Sequence, residues 1–107
     1  MSFHALDAAL DLVRAVRVPH RTIRGRHAPL ADQLLRAVEC VPLNIAEGSR
    51  LTAASATHHY RIAAGSAREV DAALRTALAL EFLDEAAIAD ALRLCDRLGA
   101  MLWRLTH

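Results

Sequence analysis

The side chains with the most chemistry in this 107-residue chain are six histidines, two cysteines, twelve acids and thirteen arginines, with no lysine. Histidines invite a metal, but helical di-metal sites need a Glu-x-x-His pair on each of two helices. No Glu-x-x-His occurs here. His58 and His59 are adjacent, so on one helix they point about 100° apart and cannot share an ion. No metal site and no cofactor is expected. Cys40 and Cys95 each fall in an apolar helical pattern with no histidine within a turn, where a thiol is inert. They form one disulfide, or stay as buried free thiols suited to a reducing cytoplasm. Ser66 and Glu69 are i, i+3 neighbours, a spacing for hydrogen bonding rather than an activated nucleophile. With no glycine-rich phosphate loop either, the chain is not expected to be an enzyme.

Charge distribution says more. Residues 12–27 hold Arg14, Arg17, Arg21, Arg24 and Arg26 with no acid. Arginine forks bind phosphates bidentately, so this helix-1 and loop segment can hold an RNA or DNA backbone. The alternative is a solvated loop balanced by acids on a neighbouring helix or subunit. Residues 69–96 hold seven acids against Arg75 and Arg93, so the second half reads as acidic.

The densest motif is Val41-Pro42-Leu43-Asn44-Ile45-Ala46-Glu47-Gly48. Asn44 and Glu47 share a helix face beside a proline that removes one backbone bond. Two readings stand side by side: a polar knot that fixes a bend and the registry of adjacent helices, or direct contact with a ligand or nucleic acid.

Four helices must position these groups. Phe3, Leu6, Leu10, Val13 and Val16 make one stripe in threes and fours, with Ser2 as N-cap and Pro19 as the stop. Residues 18–29 then read as a loop. Pro29 opens a second helix, striped by Leu30, Leu34, Val38, Val41 and Ile45, kinked at Pro42 and ended at Gly48. Capped at Thr52 or Ser55, the third runs to about Leu80 on Tyr60, Ala63, Ala67, Val70, Leu74 and Ala77. A second stripe of Ile62, Ser66, Glu69 and Ala73 lies beside it. Gly65 costs about 1 kcal/mol in mid-helix, which predicts close approach of a neighbouring helix there. Asp84 caps the fourth, striped by Ile88, Leu92, Cys95, Leu98, Leu102 and Leu105. The product expected is one all-α domain over residues 1–107, an antiparallel up-down four-helix bundle.

Composition agrees. Ala and Leu fill 40 of 107 positions while aromatics make up 4%, which suits helices and excludes sandwiches and disordered tails. The formal net charge of +1 excludes a strongly basic arm or an acidic tail as a whole-chain feature. The start of the chain lacks a basic n-region, and no charge-free run is long enough to span a bilayer, so a cytoplasmic location is expected.

The stretch Arg36-Ala37-Val38-Glu39-Cys40-Val41-Pro42-Leu43-Asn44-Ile45-Ala46-Glu47-Gly48 resembles a signature of the four-helix-bundle proteins of 23S ribosomal RNA intervening sequences. That family's second signature, Gly-Ser-x-x-Glu-hydrophobic, is matched by Gly65-Ser66-Ala67-Arg68-Glu69-Val70. The resemblance implies a bundle that assembles as a ring-like homopentamer. A related branch serves diversity-generating retroelements, pairing with a reverse transcriptase and binding its template RNA through a basic, lysine-rich surface. This chain is near neutral and lysine-free, so a reverse transcriptase is not expected as its partner. The chain is thus expected to be a self-assembling scaffold or binding module, with nucleic-acid binding through the five arginines as the alternative. Trp103, offset from its helix's main stripe, and the alanine-rich faces of the last helix are candidates for contact between copies.

Overall fold

The computed structural model describes residues 2–107, with side chains from His4 onward; the expected roles of the Ser2 and Phe3 side chains lie outside the described residues. Four helices account for nearly all of it: α1 (Ser2–Arg26), α2 (Ala28–Gly48), α3 (Ala53–Ala79) and α4 (Glu85–Thr106). No strand occurs among the described residues. Each helix packs chiefly on its neighbours in the chain, and α1 also packs on α4, which closes the set. The whole measures 43 × 22 × 18 Å.

Pro19 does not end α1, contrary to the loop expected over residues 18–29. The reason lies in the core. The buried stripe of α1 is Ala5, Ala9, Leu12, Val16, Pro19 and Ile23, at steps of four and three. Pro19 itself occupies one rung, and Ile23 beyond it is fully buried. Packing on both sides of the proline offsets its lost backbone bond, an override of local preference by tertiary contact. The expected stripe of Leu6, Leu10 and Val13 is the neighbouring one: Leu6 and Val13 are half-buried and Leu10 is exposed.

In α2 the expected stripe holds, with Leu34, Val38, Val41 and Ile45 buried and Leu30 half-buried. All six residues of the main α3 stripe are buried, whereas Ile62 and Glu69 of the second one are exposed. In α4 Ile88, Cys95, Leu98 and Leu102 are buried. Each fully buried leucine contributes about 1.5–3 kcal/mol, so Leu12, Leu34, Leu74 and Leu98 carry much of the core.

The junctions explain the ends. His27 alone separates α1 from α2, and its Nδ1 accepts the Leu30 N–H at 3.2 Å. Asp84 caps α4 as expected, accepting the Ala87 N–H at 3.0 Å. At the end of α3, Phe82 N–H bonds Ala77 O and Glu81 N–H bonds Leu78 O, each at 2.9 Å. This closure needs a left-handed residue, and Glu81 supplies it with φ 62°.

Candidate functional site

Because α1 continues through Pro19, Arg14, Arg17, Arg21 and Arg24 fall at steps of three, four and three along a single helix. All four are exposed, on the side away from the buried stripe. Successive Cα positions in the row rise by about 4.5–6 Å along the axis. Arg14 donates to Asp11 at 2.9 Å and Arg24 donates to Asp32 of α2 at 3.1 Å. Both pairs are more than half exposed, so water screens them to at most about 1 kcal/mol. Arg17 and Arg21 form no ion pair with any described residue. Arg26 leaves the row: its guanidinium lies over the Phe82 ring, 5.4 Å from the centroid.

The last helix adds to this face. Between α1 and α4 lies a groove of about 380 Å³ whose polar lining is Asp11, Arg14, Asp90, Arg93 and Arg97. Arg93 is paired with Asp90, while Arg97 has no ion-pair partner among the described residues. Arg93 and Arg97 escaped sequence reading because they sit in or just beyond the acidic half. The signal was present, since a closed four-helix set brings its first and last helices together. Acids of that half are partly neutralised locally as well, as Arg75 donates to Asp71 at 2.6 Å.

The α2 motif works as a key between helices. Asn44 Nδ2 donates to the Cys40 carbonyl at 2.9 Å, and Asn44 Oδ1 lies 3.1 Å from His59 Nδ1 of α3, whose N–H donates to it. Glu47 does not join this pair; it accepts from Arg50 at 2.9 Å across the helix end. Gly48 is required by contact rather than by backbone angle. A Cβ there would stand 2.7 Å from Tyr60 Cε1, so only hydrogen lets the ring close down on α2.

Gly65 behaves differently from expectation. A Cβ there would meet only the Arg68 guanidinium at 3.8 Å, so no neighbouring helix approaches closely. Next to it Ser66 is buried, and Glu69 is exposed. Cys40 is an exposed free thiol, not a buried one, because it falls beside the α2 stripe rather than on it. Cys95 is buried and also free. Burial pushes its thiol up to about 12, aided by the negative field of Asp71 and Asp96. It stays protonated and unreactive. The described residues contain no cluster of three metal-ligating side chains. None of the described helices is long and apolar enough to cross a membrane.

Four helices keyed by an Asn-Ile-Ala-Glu-Gly segment on α2, with Gly-Ser-x-x-Glu on α3, define a class of all-helical proteins. The sequence matches the family described as 23S rRNA-intervening sequence protein over residues 4–104, and the chain belongs to that family. No curated protein and no solved structure matches it significantly.

Proposed function

We propose that this chain is a non-enzymatic, cytoplasmic binding module that holds the phosphate backbone of RNA or DNA on the arginine row of α1. One observation carries the reading. The uninterrupted helix sets Arg14, Arg17, Arg21 and Arg24 in register on an exposed face, with Arg17 and Arg21 free of ion pairs among the described residues. Four like charges on one copy make a modest footprint, and repetition in an oligomer multiplies it. The test is a salt titration of binding to structured RNA and to duplex DNA. Log K should fall linearly with log salt, by roughly 0.7–0.9 per phosphate neutralised. No binding at low salt would overturn the reading.

A second reading, self-assembly as a scaffold in the ring of five that the family resemblance implies, draws support from large apolar side chains left in water. Leu43 is 68% exposed, Val18 62% and Trp103 60%. Light scattering that returns a stable monomer at micromolar concentration would rule it out.

Both readings take the helices as alternately antiparallel. A one-residue junction joins helices of 25 and 21 residues inside a body 43 Å long, which supports a chain that doubles back there. His27 of the first junction also stacks on Phe82 of the third, ring centroids 6.1 Å apart. That contact supports an up-down course, in which both turns lie at one end. In this arrangement α2 bends at Pro42, where the missing N–H frees the Val38 carbonyl.

A further inference from the structure

A groove of about 490 Å³ runs between α2 and α3, away from the arginine row. Its polar lining includes Arg36 and Cys40 from α2 and Ser66 and Glu69 from α3, above apolar Leu30 and Ala73. Three of these groups are free to meet a ligand. Arg36 and Glu69 are exposed and take part in none of the ion pairs among the described residues. Ser66 as a residue is only 6% exposed, but its hydroxyl oxygen is not sealed from solvent and bonds to no described residue, so it stays open to a partner from the groove. Thr22, Thr57, Thr76 and Thr106 all donate to the carbonyl four residues earlier in their helices. The Ser66 hydroxyl does not use that outlet, although the same carbonyl position exists for it.

An unpaired cation, an unpaired carboxylate and an accessible hydroxyl around one groove are complementary to a ligand with both charges. We propose that the α2–α3 groove binds a small zwitterion of the amino-acid or short-peptide class. The ligand carboxylate lies against the Arg36 guanidinium, whose planar fork donates to it bidentately. Its ammonium lies against Glu69, one of its polar atoms takes the Ser66 hydroxyl, and its aliphatic part rests on Leu30 and Ala73. Opposite charges on the two walls reject a simple anion or a simple cation, because either one meets a like charge.

Cys40 gives a direct readout, since it is the exposed thiol in this groove while Cys95 is buried. The rate of Cys40 alkylation by neutral iodoacetamide, followed by peptide mass mapping, is measured with glycine or di-alanine added. Acetate and methylammonium, each supplying half of the ligand, serve as controls. The zwitterions should slow Cys40 labelling, and Arg36→Gln or Glu69→Gln should raise the concentration needed by at least about tenfold. Ser66→Ala should raise it less. Circular dichroism should show the three variants folded, as neither charged residue is buried or paired. Three results would overturn the proposal: no slowing by either zwitterion, equal slowing in the charge variants, or equal slowing by acetate or methylammonium alone.

Discussion

Arginine keeps different company on two surfaces of this bundle. On α1 it is repeated in a row, Arg14 to Arg24, and the acids bonded to it among the described residues, Asp11 and Asp32, pair in the open where water weakens them. In the α2–α3 groove one arginine, Arg36, shares a small hollow with one carboxylate, Glu69, and with the Ser66 hydroxyl. The row suits a polymer of like negative charges and should release counterions on binding. By contrast, the groove suits a molecule carrying both signs, with little net charge to screen. A chain with a formal net charge of +1 thus presents two charge patterns, because the fold sorts its charges by face.

The largest effect expected is on the row. Arg17→Gln combined with Arg21→Gln should lower the salt slope of polyanion binding by about two, one for each phosphate no longer neutralised. Arg36→Gln with Glu69→Gln should leave that slope unchanged; a matching drop would merge the two surfaces into one. Next come the glycines, read by thermal or urea unfolding. Gly48→Ala should cost about 1–3 kcal/mol, since the Tyr60 ring stands 2.7 Å from the new carbon. Gly99→Ala, with nothing within 4 Å, should add about 0.5–1 kcal/mol of stability by favouring the helix. Asn44→Ala should cost roughly 1 kcal/mol by removing the link from α2 to His59. Denaturant midpoints that do not move would remove Asn44 from the registry of α2 on α3.

The subtlest expectation concerns pH. The buried Cys95 thiol is held above its ordinary value of 9.0, at about 12. Its contribution to stability is therefore complete below pH 9 and is lost as pH rises towards 12, where the unfolded chain has already given up the proton. Stability should decline over that window, and Cys95→Ala should flatten the decline. An equal decline in the variant would assign it to other groups.

Much of the fold was legible in the sequence, and what failed did so for one physical reason. The stripes of α2, α3 and α4 follow from spacing alone, and Asp84 was recognisable as a cap from its residue type. Pro19 misled because local rules treat proline as a stop, while here it is a rung of the buried stripe and Ile23 holds the helix beyond it. Gly65 suggested a close approach that Gly48 actually makes, against Tyr60. Four of the five arginines in the acid-free segment do share a face, but only a continuous α1 reveals their common register. Arg36 and Arg97 were invisible as site residues, since each joins its surface only when helices distant in sequence come side by side.

The most direct test of the arginine row compares salt slopes for one structured RNA bound by the wild-type chain and by the Arg17→Gln, Arg21→Gln double variant. Both are measured at a known oligomeric state. A linear dependence for the wild type, shallower by about two for each bound copy of the variant, is the predicted result. Equal slopes for the two proteins, or binding indifferent to salt, would contradict it.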